Sequence, residues 1–139
     1  MDQITGMIIE KAIRIHRGLG PGLLESVYEM VLCKCLERDG LLVERQKAVD
    51  FVFEGIQFKD GFRADLIVEN QVVVELKSVE IIAPVHSKQL LTYLRLLNYE
   101  VGLLINFGNA TLKEGIERVV NHHRPAITSC LRINLENRD

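Results

Sequence analysis

The sequence lacks the features that mark membrane and exported proteins. None of its apolar runs is long enough to span a bilayer, which takes about 20 residues. The first residues, Met1–Thr5, have neither the basic start nor the apolar run of a signal peptide. The cysteine count of three is odd, and Cys33 and Cys35 would point to nearly opposite sides of a helix, where they cannot pair. We therefore expect a cytoplasmic protein with reduced thiols that has no contact with a membrane.

The sequence also lacks an excess of positive charge. Its 17 Lys and Arg residues are outnumbered by 19 Asp and Glu residues, and the formal net charge is −2. A protein that binds duplex nucleic acid through its phosphates usually has a basic balance or a basic face. Any nucleic-acid contact is therefore expected to use a local patch, to be weak, or to depend on a protein partner.

The rest of the composition predicts a single domain over residues 1–139, because 47% hydrophobic and 26% charged content fits one globular core. Apolar periodicity predicts helices over about 3–17, 23–38 and 84–98 and strands over about 41–50, 63–68, 72–77 and 100–107, with a hairpin tip at 51–58. Residues 111–121 fit a helix or a strand interrupted by Gly115, of which we favour the strand. Residues 127–135 alternate as an edge strand would.

The stretch from Gly61 to Ser78 predicts a β-hairpin, since two runs rich in β-branched residues flank the polar segment 69–71. Alternate residues of a strand share a face. In the first run one face holds Ala64, Leu66 and Val68 and the other Arg63, Asp65 and Ile67. In the second run one face holds Val72, Val74 and Leu76 and the other Val73, Glu75 and Lys77. A three-residue turn would place Asp65 opposite Glu75, whereas a two-residue turn would put them on opposite faces.

With the three-residue turn, one face carries two carboxylates and a lysine. Neighbouring carboxylates raise each other's pKa unless a cation lies between them. Mg²⁺ takes carboxylate and carbonyl oxygens while keeping several waters, and Lys77 could orient a water or stabilise charge on a phosphate. The alternative is a solvent-facing strand with ordinary surface charges. The apolar run Val72–Val74 argues against it, because such a run is typical of a strand covered on both faces.

Three motifs, in this order, resemble the PD-(D/E)XK nuclease superfamily and, within it, the small GxxExxY family. They are Gly22-x-x-Glu25-x-x-Tyr28, then Asp65 with Glu75-Leu76-Lys77, then Gln89-x-x-x-Tyr93. The resemblance covers about residues 4–120, and Ala64 replaces the proline that often precedes the aspartate. It implies an α/β fold with a restriction-endonuclease-like core, a central mixed β-sheet flanked by helices in the order α-α-β-β-β-α-β.

The resemblance also implies an activity, the hydrolysis of phosphodiester bonds in nucleic acid, with DNA the favoured substrate and Mg²⁺ or Mn²⁺ as cofactor. The implied metal ligands are Asp65, Glu75 and the backbone carbonyl of Leu76, and the implied catalytic residues are Lys77, Glu25, Gln89 and Tyr93. Lys77 would position the attacking water, and Glu25 would reach the metal through water or bind a second ion. Gln89 and Tyr93 would orient the scissile phosphate.

Several of these residues have plainer interpretations. Glu25 would be favoured in the first turn of a helix by the macrodipole alone. Periodicity by itself makes Tyr28 a core residue, and Gln89 could be solvated. We interpret Arg45 and Gln46 as solvated strand residues rather than substrate contacts.

Two other functions remain open at this point. The net charge of −2 favours a non-catalytic module that retains the nuclease fold and binds nucleic acid or protein. A purely structural subunit of a homo-oligomer would leave Glu75 and Lys77 exposed or paired with each other. A homodimer or another protein partner is compatible with each of these readings.

Overall fold

The computed structural model describes residues 2–122. Its elements are α1 (Asp2–Leu19), α2 (Glu25–Arg38), β1 (Val43–Phe53), β2 (Ile56–Val68), β3 (Val72–Lys77), α3 (Pro84–Leu97), β4 (Val101–Asn106), a 3₁₀ helix (Lys113–Gly115) and β5 (Ile116–Val120). The predicted order of elements is confirmed. The expected edge strand at 127–135 lies outside the described residues. Within residues 2–122, no helix is both long enough and apolar enough to cross a membrane.

The five strands form one mixed sheet in the order β1-β2-β3-β4-β5. Only β3 and β4 run parallel, and α3 is the crossover that connects them. The favoured strand in 111–121 is confirmed in its second half, where β5 pairs antiparallel with β4. The first half instead forms the short 3₁₀ helix. The predicted tip at 51–58 is also present, with Glu54 and Gly55 in left-handed conformation between β1 and β2.

The β2–β3 hairpin has the three-residue turn that the site requires. Val68 pairs with Val72 and Leu66 with Val74, so residues 69–71 form the turn. Glu69 and Asn70 both adopt positive φ, 55° and 52°. The Glu69 carboxylate accepts a hydrogen bond from the backbone of Leu42 at 2.6 Å, which ties the turn to the start of β1.

The core lies on both faces of β3, as the apolar run predicts. Val72, Val74 and Leu76 pack in a cluster with buried residues of α1 and α2, and Val73 packs in a second cluster with Leu90 and Leu94 of α3. Ala64 departs from the predicted alternation, because it joins the second cluster while Leu66 and Val68 join the first. The β1–β2 pairing is interrupted between these positions, opposite Gln46, whose φ is +49°.

Candidate active site

The strands β2 and β3 stop pairing where the two carboxylates lie. The last backbone pair is Leu66 with Val74. Beyond it, the N–H of Asp65 donates to Glu75 Oε2 at 2.9 Å, and the N–H of Leu76 donates to Asp65 Oδ2 at 2.9 Å. Each carboxylate therefore replaces a backbone acceptor on the opposite strand. This exchange holds the two side chains next to each other.

Glu75 pays an electrostatic cost for this position. Glu75 is only 6% exposed. Its burial is the larger cause, and the negative charge of Asp65 the second, of a rise in the pKa of its carboxyl to about 8. The hydrogen bond from the Asp65 backbone and the charge of Lys77 act in the opposite direction. A cation between Asp65 and Glu75 would relieve the cost, because it favours the charged form of both groups.

The donor atoms near this pair fit a hard, partly hydrated cation. Within residues 2–122, no group of three or more His, Cys, Asp or Glu side chains could hold a metal ion. An ion at this pair would therefore have two carboxylates, Asp65 and Glu75, and would take its other protein ligands from backbone oxygens. The N–H and C=O of a strand residue point to the same side, so the carbonyl of Leu76 faces β2 as its N–H does. Two carboxylates and a carbonyl suit Mg²⁺ or Mn²⁺, which complete their shells with water.

Lys77 ends β3 beside this pair. Its side chain is half-buried, and its charge acts to lower the pKa of the Glu75 carboxyl. No ion pair within 4.0 Å engages Lys77 in the described part of the chain. Its backbone carbonyl accepts a hydrogen bond from Phe107 at 2.8 Å. The backbone is thus fixed while the ammonium remains available.

Helix α3 brings Tyr93 to the pair but leaves Gln89 apart from it. Burial, then the charges of Glu75 and Asp65, raises the pKa of the Tyr93 hydroxyl. The ring stacks on Phe62 with centroids 4.1 Å apart. Gln89 is exposed one turn earlier, and its side chain forms no hydrogen bond with any of residues 2–122.

The start of α2 borders the site from the other side. Glu25 is exposed and lines an open cleft of about 670 Å³ together with Gln46, Asp65 and Ser78. No hydrogen bond or ion pair joins Glu25 to Asp65 in the described region. The Ser78 hydroxyl donates to the carbonyl of Leu23 at 2.7 Å, which ties the end of β3 to the segment before α2.

Tyr28 is a core residue that anchors the segment leading into α2. It is fully buried, and its ring stacks on Phe107 with centroids 4.3 Å apart. Its hydroxyl donates to the carbonyl of Gly20 at 2.5 Å and accepts from the N–H of Leu23 at 3.1 Å. Tyr28 therefore acts on Glu25 only through the backbone that it fixes.

Three residues beside the site were missed or misread in the sequence. Gln46, interpreted as solvated, donates from Nε2 to Asp65 Oδ1 at 3.2 Å and to Glu29 Oε1 at 2.8 Å. Arg45 donates from Nε to Glu29 Oε2 at 3.0 Å. Glu29 is only 5% exposed. Its position directly after Tyr28 in a predicted helix carried no signal that it is buried.

Comparison with known proteins agrees with this architecture. Residues 2–119 match the family model of the PD-(D/E)XK nuclease superfamily. Neither the curated proteins nor the solved structures contain a significant match. The mixed five-stranded sheet with flanking helices is consistent with the restriction-endonuclease-like α/β fold. Because the matched region spans most of the chain and includes all the motifs above, the protein belongs to the PD-(D/E)XK nuclease superfamily.

Proposed function

We propose that this protein is a Mg²⁺- or Mn²⁺-dependent nuclease of the GxxExxY family that hydrolyses phosphodiester bonds in DNA. The observation that carries the proposal is the mutual anchoring of Asp65 and Glu75, each on the other strand's backbone, with Lys77 beside them. Membership of a nuclease superfamily supports the reaction class. The choice of DNA and of the GxxExxY family goes further and depends on the sequence motifs.

Asp65, Glu75 and the carbonyl of Leu76 would hold the metal. Their carboxylate oxygens each accept few hydrogen bonds here, and a carboxylate has about four lone-pair sites, so acceptor capacity remains for an ion. A bound divalent ion supplies Lewis-acid polarisation of a phosphate oxygen and a lowered pKa for water.

The other residues would act on substrate and water. The Lys77 ammonium would hold the attacking water and offset the negative charge that develops on the phosphate oxygens of the pentavalent transition state. The Tyr93 hydroxyl would donate a hydrogen bond to the scissile phosphate. Gln89 would need a rotamer change or bound substrate to take part. Glu25, on the rim of the cleft, would act through a water or a second ion.

The test is cleavage of single-stranded, duplex and branched DNA and RNA with Mg²⁺ and with Mn²⁺, beside a Lys77→Ala variant purified in the same way. We expect the wild type to cleave DNA and the variant to lose at least about 100-fold in rate, because a charge that stabilises the transition state is removed. Equal cleavage by both proteins would contradict the proposal and indicate a contaminant.

A non-catalytic binding module with this fold is the second candidate, and the net charge of −2 is the observation that favours it. Calorimetry separates the two candidates. A nuclease should bind Mg²⁺ or Mn²⁺ with millimolar or tighter affinity, and Asp65→Ala should abolish the binding. Absence of metal binding, together with binding of uncleaved nucleic acid, would favour the module.

A further inference from the structure

The proposed reaction leaves one buried carboxylate without a role. Glu29 lies on α2, is 5% exposed, and belongs to none of the motifs that carry the family resemblance. Burying a carboxylate is costly unless it is paired and hydrogen-bonded. Both of its oxygens are used, one by Arg45 and one by Gln46, which are adjacent on β1. The two partners of Glu29 are therefore the two residues of β1 that border the site.

Gln46 links Glu29 to the metal-binding pair. A single nitrogen, Nε2, donates to Glu29 Oε1 at 2.8 Å and to Asp65 Oδ1 at 3.2 Å. The residue has a φ of +49°, which is uncommon for a residue other than glycine. Its carbonyl also accepts a hydrogen bond from Arg63 Nη1 at 2.8 Å. The backbone is thus held in an unfavourable conformation that directs the amide between two carboxylates.

Glu29 makes the shorter of the two contacts that hold the NH₂ group of this amide, at 2.8 Å against 3.2 Å for Asp65. An ionised carboxylate only accepts hydrogen bonds, whereas the Gln46 amide has both an accepting oxygen and a donating NH₂ group. Contact with Glu29 requires the NH₂ group, and the same NH₂ group then meets Asp65. Without Glu29, the 3.2 Å contact with Asp65 would be the one carboxylate contact left, among the residues described, to hold the amide nitrogen of Gln46 in place.

The same carboxylate orients Arg45. Only Nε of its guanidinium is engaged by Glu29, and Arg45 lines the cleft together with Asp65 and Glu25. Arginine presents a planar set of donors that matches a phosphate group. A nucleic-acid strand bound in this cleft would therefore place one of its phosphates near Arg45.

We infer that Glu29 is a positioning residue that orients two side chains of the cleft, Gln46 toward Asp65 and Arg45 toward a backbone phosphate of the substrate. The inference rests on the proposed function for the identity of the metal and the substrate. Residues that hydrogen-bond to a metal ligand, without binding the metal themselves, commonly alter metal affinity by about 10- to 100-fold when they are replaced. Glu29 acts on the metal only through Gln46, so replacing either residue should remove the same contribution to metal affinity.

The experiment compares Glu29→Gln, Gln46→Met and the double variant with the wild type. Mn²⁺ affinity is measured by calorimetry, and kcat and KM are measured separately on a DNA substrate. Glu37→Gln is the matched control, since Glu37 is an exposed carboxylate on the same helix with a long surface pair to Lys34 at 3.8 Å. Circular dichroism and urea unfolding establish that each variant is folded, and Gln46→Met keeps the test valid if Glu29→Gln is unstable.

We expect each single variant to weaken Mn²⁺ binding about tenfold. The double variant should weaken it no further, because each single variant already removes the connection from Glu29 through Gln46 to Asp65. Arg45→Met should raise KM for DNA severalfold and leave Mn²⁺ affinity within about twofold. Folded Glu29→Gln and Gln46→Met proteins that bind Mn²⁺ like the wild type would overturn this inference alone. A wild type that binds no metal would overturn the proposed function and this inference with it.

Discussion

At the residue scale, Glu75 makes the metal-free site sensitive to pH. The pKa of its carboxyl is raised from 4.5 to about 8, first by burial and then by the charge of Asp65. A raised pKa means that the folded protein binds the proton more tightly than the unfolded chain does. The contribution of Glu75 to stability is therefore fully present below pH 4.5 and is lost as pH rises through 8. Ionised Glu75 opposes folding of the metal-free protein.

Glu75→Gln should remove this opposition. In EDTA, we expect the variant to match the wild type near pH 4.5 and to exceed it by about 2 kcal/mol or more at pH 8, since each pKa unit corresponds to about 1.4 kcal/mol. The amide oxygen can still accept the hydrogen bond from Asp65. Urea unfolding at a series of pH values measures the difference. The same pH dependence of the free energy of unfolding in both proteins would show that ionised Glu75 does not oppose folding.

Tyr28 provides a second prediction at this scale. Tyr28→Phe keeps the stacking on Phe107 but loses the hydrogen bonds with Gly20 and Leu23. We expect the free energy of unfolding to fall by about 1–2 kcal/mol. Tyr93→Phe is the control, because the Tyr93 hydroxyl has no hydrogen bond within residues 2–122, and we expect a change under about 0.5 kcal/mol. Similar losses in both variants would mean that the Tyr28 hydroxyl is not an anchor.

At the scale of elements, Asn106 fixes the end of β4 against the segment that follows β3. It is 1% exposed. Its Oδ1 accepts from the N–H groups of Val79 and Gly108, both at 3.0 Å, and its Nδ2 donates to the carbonyl of Val79 at 2.9 Å. Gly108 allows this approach, because a Cβ there would lie 2.1 Å from the carbonyl oxygen of Val79. The segment directly after Lys77 is therefore held by an amide that needs both its donor and its acceptor.

Asn106→Asp tests this double requirement. The carboxylate would retain an acceptor but lose the donor to Val79, and a charged group would be buried in place of a neutral amide. We expect a loss of about 2–4 kcal/mol at pH 7, measured by urea unfolding. Asn109→Asp is the control, since Asn109 is less buried and only accepts from Asn106 through its side chain at 3.3 Å. An equal, small effect of both substitutions would contradict the anchoring role.

At the scale of the whole molecule, the charge balance limits how the proposed DNA substrate could be held. The net charge is −2, and the cations at or beside the site include Lys77, Arg45 and Arg63. Binding to duplex DNA weakens with salt by a log–log slope of about −0.9 per phosphate contacted. A protein that contacts few phosphates should therefore show only a weak dependence of DNA affinity on salt concentration.

We expect a slope no steeper than about −3 for wild-type protein in EDTA, where cleavage is suppressed, between about 50 and 200 mM KCl. Fluorescence anisotropy of a labelled duplex gives the affinity at each salt concentration. A slope of about −5 or steeper would reveal a wide phosphate-binding surface that the charge balance does not indicate.

Local patterns in the sequence determined the elements and the two sides of the site. The apolar run at Val72–Val74 predicted a strand covered on both faces, and the clusters around β3 confirm it. Alternation left a two-residue and a three-residue turn open, and only the three-residue turn, which is present, aligns Asp65 with Glu75. These predictions succeeded because periodicity reports directly on the burial of a single element. The superfamily followed from the order and spacing of the motifs.

The tertiary structure decided which side chains surround the carboxylate pair, because periodicity reports only on the burial of a single element. The bonds from Gln46 to Glu29 and Asp65 join residues 17 and 19 positions apart on three elements, and no local pattern encodes such partners. Ala64 packs on the face opposite to the predicted one, at a point where the β1–β2 ladder skips Gln46 and Asp65. Hydrogen-bond partners depend on register and on how separate elements pack, so the surroundings of the carboxylate pair emerged only when α2, β1 and β2 were placed together.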